Sequence, residues 1–545
     1  MPRTSHTAHA ALHPRMRRRL VRRVLAGVVW LGACAAVPPL AAQPARAPAG
    51  GRACPLTAAE QRADAALLVD ALAFAHVGLG RYEPPATFRA RADSLLASIR
   101  APADCLAFFG RVAAFNARLR SGHLYTIAHG STSARVRALP RVPMELRALG
   151  RRLYVWRDLS SSGIARGSEV LAINGRAAAD VMARVWPAIP TDGFIETRQP
   201  HLLNVLDRPD FEGFDLYYAL QVERPRRFRV TVRDARTGQV RTVDAAGITH
   251  AEKLEAIARV SGRPVGPPDA PGYELRPADD VAVLRIPRAY AIRDGEFDLE
   301  TLLGRLAAEL HARKIGHLVV DLRGNTGGLD ALGALLYGHL TDRPFRFYRA
   351  LYYRRLDFGR FEPAVLPDER GGVDPEHPER YDAVPDSAGG GYWRKAGTYD
   401  LLDTVPAFRY TRTPFLGPVY VLVDGGAFSA GAQAATWLFD TRRALLVGEE
   451  AGGDYAGPDG GATMPIVLPH AQLHVRIPMI RSLQTGQPWA PGRGVRPHVV
   501  VRPTIADLLA GRDAAMEQAL DLARRGVTLE RFVAGARVLD DAGAR

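Results

Sequence analysis

Lysine is nearly missing from this chain of 545 residues: Lys253, Lys314 and Lys395 are the whole complement. The basic charge is therefore carried almost entirely by arginine, which stays protonated and does not serve as a neutral amine base. Cysteine is equally scarce, at three residues, and no Cys-x-x-Cys pair occurs, so thiolate zinc sites of the usual spacing are excluded. There is no Asp-rich calcium loop. No Gly-Lys-Ser/Thr follows a glycine-rich stretch, which excludes a P-loop. Basic runs interleaved with aromatics are missing from the body of the chain, so nucleic acid is not an expected partner. Past the N-terminus no run approaches the roughly 20 apolar residues of a membrane span.

The chain is 47% apolar and 24% charged, enough to build a sizeable core and several domains. Its formal charge of +15 is uneven, because seven Arg and no acid precede Cys34; the rest holds 65 bases against 57 acids. Arg17, Arg18, Arg19, Arg22 and Arg23 stand before an apolar run from Val24 to Val37, with small residues to Ala42. This order reads as a secretory signal over 1–42, with Met16 an alternative start. Leu31-Gly32-Ala33-Cys34 also resembles a lipoprotein box, in which the signal would end at residue 33 and Cys34 would carry a lipid anchor. Either version sends the chain out of the cytoplasm, to the periplasm or cell envelope. The remaining pair, Cys54 and Cys105, is then expected to form a disulfide.

Residues 53–135 are helical in pattern, with Leu106, Phe109, Val112 and Phe115 at helical spacing. Residues 136–250 change to strands around Asn174-Gly175, a strong turn signal. Residues 275–510 alternate strand, loop and helix, as in an α/β layer, and 511–545 form a C-terminal helix and tail. Asp357 to Gly397, rich in Gly, Pro and Asp, is too long for a simple connection and reads as a lid or substrate-flanking loop.

Two strand-to-loop junctions carry the chemistry. Val319 to Gly328 is a buried strand ending in a glycine-rich loop, whose N–H groups can face an oxyanion. Val421 to Gly431 places Ser429 at a helix start among small residues. There a hydroxyl either caps the helix or acts as a nucleophile whose developing charge the helix terminus stabilises. His470 and His474 have the spacing of a helical zinc pair, but Ala471 stands where a Glu is expected. Leu473, Val475 and Ile477 alternate like a strand, on which positions i and i+4 lie about 13 Å apart, so no metal is expected.

In their order and wording the junctions resemble the tail-specific, or C-terminal-processing, serine peptidases, the family that also includes tricorn. Asp321-Leu322-Arg323-Gly324-Asn325-Thr326-Gly327-Gly328 resembles the glycine signature of that family, and Val447-Gly448-Glu449 and Gly494-Val495-Arg496-Pro497 resemble later landmarks. Arg166 to Gly175 is similar to the middle of a PDZ module. The resemblance implies a crotonase/ClpP-like α/β catalytic core with a helical N-terminal segment and an inserted PDZ-like β module. It implies Ser429 as nucleophile acting on peptides or unfolded protein tails, with no cofactor; the alternative is a catalytically inactive ligand- or peptide-binding relative of the same fold. The oxyanion hole would come from the N–H of Ala430 with that of Gly327 or Gly328. One branch of the family uses a Lys after the serine, which the lack of lysine beyond Lys395 excludes. The tricorn-like branch uses a His, and His123 in Ser121-Gly122-His123-Leu124 occupies that position. Ser121, where many relatives carry an acid, is the candidate to orient the imidazole. Arg323 and Asp321 read as scaffolding. Pro491 stands where a glutamate often completes the network, and His498 where the family usually has Asp.

Overall fold

The computed structural model describes residues 54–266, 270–288, 298–328, 330–366, 381–384, 392–395, 402–484 and 492–535. The expected N-terminal signal over 1–42, Cys34 and Pro491 lie outside the described residues. Among those described, no helix is long and apolar enough to cross a membrane.

The α/β layer is a six-stranded sheet in the order Val499–Val500, Leu445–Gly448, Val419–Val423, His317–Asp321, Val281–Arg285, Gly272–Arg276. Neighbours pair in parallel except Gly272–Arg276, which is antiparallel. Its apolar runs are near-continuous because both faces are covered, as parallel sheets require. Leu318, Val320, Val421 and Val423 face one core with helices Leu299–Ala312, Leu332–Gly338 and Ala430–Asp440. The intervening Val319, Tyr420 and Leu422 face the other core with Met516 and Leu520 of helix Ala514–Arg524. Period-two alternation therefore puts every second side chain of a strand into a different core. Asp321 and Val423 end adjacent parallel strands, so both glycine-rich loops emerge at the same carboxyl edge, where open α/β sheets place their ligands.

The N-terminal helices do not form a separate body. Leu68 and Leu72 of Ala58–Ala75 and Phe108 of Cys105–Ala117 share one core with Met464, Ile466 and Val475, which belong to a hairpin of strands Thr463–Leu468 and Leu473–Pro478. Strand Tyr125–Ala128 adds a third, antiparallel strand to this hairpin. The buried carboxylate of Asp64 seals the joint: it accepts the Ala471 N–H at 2.7 Å, and its Oδ1 lies 2.8 Å from His470 Nδ1. His470 thus sits in the hairpin turn, not on the strand that carries His474, and its ring is spent on a helix contact.

Residues 144–246 hold an antiparallel sheet ordered Met144–Leu149, Arg152–Asp158, Glu169–Ile173, Arg227–Arg233, Val240–Ala246. Asn174 and Gly175, with φ of 50° and 77°, turn Glu169–Ile173 onto the two-residue strand Arg176–Ala177, as a hairpin of this type demands. The expectation of a mostly β module left three helices unplaced, Ala178–Val185, Arg198–Leu203 and Phe214–Gln221. Their apolar positions, such as Val181 and Val185, repeat over too few turns to stand out between strands, yet they fill the core of the module.

The long segment expected to be a lid is partly structural. Phe361, in the short helical turn Gly359–Ala364, packs into the N-terminal core, and strands Tyr381–Val384 and Tyr392–Lys395 extend a sheet with Tyr348–Tyr353 and Ile480–Gln484. Residues 367–380, 385–391 and 396–397 of it lie outside the described residues.

Cys105 opens its helix bonded to Cys54, with Cα atoms 5.8 Å apart and a sequence separation of 51. A crosslink of that span restricts the unfolded chain by about 4 kcal/mol. Replacing both cysteines by serine should lower the urea-unfolding free energy by about that amount; an unchanged midpoint would show that the bond carries no stability.

Candidate active site

Two residues hold the glycine-rich junctions together. Asp424, just past strand Val419–Val423, accepts the N–H of Gly324 from the first loop at 2.9 Å, and those of Gly426 and Ala427 from its own loop at 2.9 and 3.2 Å. Asn325, fully buried, donates to Ile286 O at 2.7 Å and accepts the Gly327 N–H at 2.9 Å, while its carbonyl accepts the Phe428 N–H at 2.9 Å. Arg323 forks onto Asp321 at 2.9 and 2.7 Å and onto Asp513 at 2.7 and 2.8 Å, tying the first loop to the C-terminal helix. That is the scaffolding role the sequence suggested for Asp321 and Arg323.

Ser429 stands at the N-cap position of helix Ala430–Asp440 but does not cap it: φ is 51°, ψ is −129°, and its hydroxyl accepts no helix N–H. A β-carbon in this left-handed region is strained, and such strain is held only where the surroundings impose it. Ser429 lines a small cleft together with Asp330, Tyr348, Gln433 and Gly460. Gly327 presses against the serine from the first loop. A β-carbon built at Gly327 would lie 2.6 Å from Ser429 Cβ and 2.9 Å from the Ala430 nitrogen, and the glycine itself has φ of 92°. Of the three expected oxyanion donors, the Gly327 N–H is already given to Asn325, so Ala430 and Gly328 are the remaining candidates.

His123 reaches this site from the loop before strand Tyr125–Ala128. Its ring stacks on Phe428, the residue before Ser429, with centroids 4.4 Å apart. The Arg198 guanidinium lies 3.8 Å from the centroid of the same Phe428 ring. Gly460, a cleft residue, approaches so closely that a β-carbon there would be 2.8 Å from His123 Nε2. Neither ring nitrogen makes a hydrogen bond, so imidazole and hydroxyl share the site without being joined. Burial, reinforced by the Arg198 charge and opposed by Asp459, pushes the imidazole down to about 3.

Ser121 does not orient the ring. Its buried hydroxyl makes no hydrogen bond, and the loop is held instead by Asp192, which accepts the Gly122 N–H at 2.7 Å. Asp192 Oδ2 also accepts the Asp454 N–H at 3.3 Å, and burial beside Asp459 and Asp454 pushes its carboxyl up to about 7. Arg81 bridges Asp459 at 2.7 Å and Asp454 at 3.1 Å. Sequence reading missed this whole acidic cluster. Pro458-Asp459-Gly460-Gly461 carries only turn composition, and the partners Arg81 and Asp192 lie far away in the chain. His498 is not at the site: its Nδ1 accepts the Leu446 N–H at 2.9 Å and its ring stacks on Phe439.

A strained serine at a helix start, backed by a glycine loop and flanked by a neutral imidazole, is the equipment of an acyl-transferring hydrolase. Residues 280–501 match the model of peptidase family S41, which supports a serine-type peptidase. Among solved structures, mature CPAF complexed with lactacystin is similar over 87% of this chain and 99% of its own, at 16% identity and a TM-score of 0.56. A second structure of mature CPAF covers 86% and 96%, also at 16% identity, with a TM-score of 0.52. At this identity the likeness is one of fold. No curated protein matches the chain.

Gly327→Ala should displace Ser429 and the Ala430 N–H together, and kcat/KM on an unfolded protein substrate should fall about 10²–10³-fold, the cost of losing an oxyanion donor. Thermal unfolding checks that the variant is folded. Near-normal turnover would show that the close approach of the loops is not needed for activity.

Proposed function

We propose that the chain is an exported peptidase that cleaves peptides or unfolded protein tails through an acyl-enzyme on Ser429. The observation that carries this reading is the serine itself: it occupies a capping position, forgoes the cap, and keeps its hydroxyl on an open cleft at positive φ. Ser429 Oγ attacks the scissile carbonyl while His123 accepts the hydroxyl proton and later gives it to the leaving amine. The carbonyl oxygen, negative in the tetrahedral intermediate, is received by the N–H groups of Ala430 and Gly328 at the positive end of helix Ala430–Asp440. Water then attacks the acyl carbon, with His123 taking its proton. The Asp192 contact to Gly122 keeps the histidine loop in place, and Asp459 offsets the charge of the imidazolium that forms. The module spanning 144–246 is read as PDZ-like, offering the edge strand Val240–Ala246 to an extended peptide. Delivery beyond the cytoplasm rests on the N-terminal segment, with membrane attachment only through lipid at Cys34.

A fluorophosphonate reports an activated serine without a choice of peptide. Wild type should acquire one phosphonyl group by intact mass, Ser429→Ala none, and His123→Ala should label more slowly by about 10³-fold or more. Equal labelling of wild type and Ser429→Ala would overturn the reading. The pH profile carries a sign of its own. A histidine held near 3 stays deprotonated while an ordinary one, near 6.5, would take up a proton, so the labelling rate should remain level as pH falls through 6.5. A drop centred there would mean either that the working site gives His123 a solvated or anion-paired ring or that protonation of Asp192, at about 7, releases the histidine loop.

A further inference from the structure

The cleft on Ser429 is walled by aromatic and aliphatic side chains, Tyr348, Leu351, Tyr353 and Ile480 among them. Three of its polar side chains are bonded to one another: Tyr348 OH donates to Gln433 Oε1 at 3.1 Å, and Gln433 Nε2 donates to Ser482 Oγ at 2.8 Å. Asp330 is different. Its carboxylate lines the same cleft, and among the described residues it makes no hydrogen bond or ion pair. A β-carbon built on Gly461 would lie 3.9 Å from Oδ2, so this glycine borders the carboxylate without crowding it. Burial alone, with no cation to offset it, pushes this carboxyl up to about 7.

An unpartnered carboxylate in an apolar-walled cleft is complementary to one kind of side chain, an aliphatic stem ending in a cation. The stem covers the apolar walls while the tip supplies the missing counter-charge. The cleft adjoins the hydroxyl that would attack, so the side chain it admits belongs to the residue whose carbonyl is attacked. We propose that Asp330 is a specificity-determining residue that selects substrates with lysine or arginine immediately before the scissile bond. The proposal rests on Ser429 being the nucleophile.

Two quenched peptides that differ only in lysine or norleucine at that position separate charge from shape. Wild type should prefer lysine in kcat/KM by tenfold or more, and Asp330→Asn should lower the lysine-to-norleucine ratio about 10²-fold, the scale of removing one partner of a desolvated ion pair. A wild-type preference for norleucine, or an unchanged ratio in Asp330→Asn, would overturn the proposal. The reading of Ser429 fails separately, if Ser429→Ala still cleaves both peptides. Should neither peptide be cleaved, equilibrium binding of N-butylguanidinium decides: at least tenfold weaker binding to Asp330→Asn than to wild type supports the proposal, and equal binding overturns it. Circular dichroism establishes that the variant is folded.

Discussion

The architecture of the site depends on one close approach, that of Gly327 to Ser429. Two parallel strands deliver their following loops to the same sheet edge, and the loops touch where a single β-carbon would collide with the nucleophile candidate and with the first amide of its helix. Asp424 and Asn325 supply the hydrogen bonds that make this contact obligatory, since each bonds both loops at once. The positive φ of Ser429 follows from that enforced geometry. A serine free to relax would take the extended backbone of an N-cap and spend its hydroxyl on the helix. Strain in the backbone and availability of the hydroxyl are therefore two results of the same packing.

The imidazole reaches the site by a longer route. Strand Tyr125–Ala128 pairs with a hairpin contributed by the far end of the chain, so the residues just before it are carried to the cleft. Burial of the N-terminal helices on that hairpin makes the placement part of the folding core, not a docking event that could be omitted. The cost falls on the electrostatics. His123 stays neutral between Phe428 and Gly460 with Arg198 nearby, and the compensating acids Asp192, Asp454 and Asp459 crowd together around Arg81, at the expense of raising the carboxyl of Asp192. Base and counter-charges are thus held by elements from three regions of sequence.

The sheet, its helices and both glycine loops were legible from the sequence because their signals are local: continuous apolar strands, helical periodicity and clustered glycines within a dozen residues. Ser429 was located by the same local pattern, but only the resemblance to the peptidase family turned a possible N-cap into the candidate nucleophile. The hydrogen-bond partners could not be located in that way. Asp192 lies in an unremarkable Pro-Thr-Asp-Gly stretch and acquires its role only when the module before the catalytic layer folds against the histidine loop. Ser121 was the candidate orienting group because it stands where many relatives carry an acid, yet its hydroxyl has no partner and Asp192 holds the loop instead. Gly327 and Gly328 were indistinguishable until the side chain of Asn325 claimed one of the two amides. The short helices inside the β module were hidden by brevity, and the long Gly/Pro/Asp-rich segment hid two strands whose partners are far away in the chain.

The central claim is that the hydroxyl freed by the strained turn forms the covalent intermediate. Acid quenching during turnover of an activated ester, followed by peptide mapping, measures this directly. The account predicts a substrate acyl group on the peptide containing Ser429, appearing at the mass of a single ester adduct. Steady turnover with no acyl adduct, or with the adduct on any other residue, would contradict it.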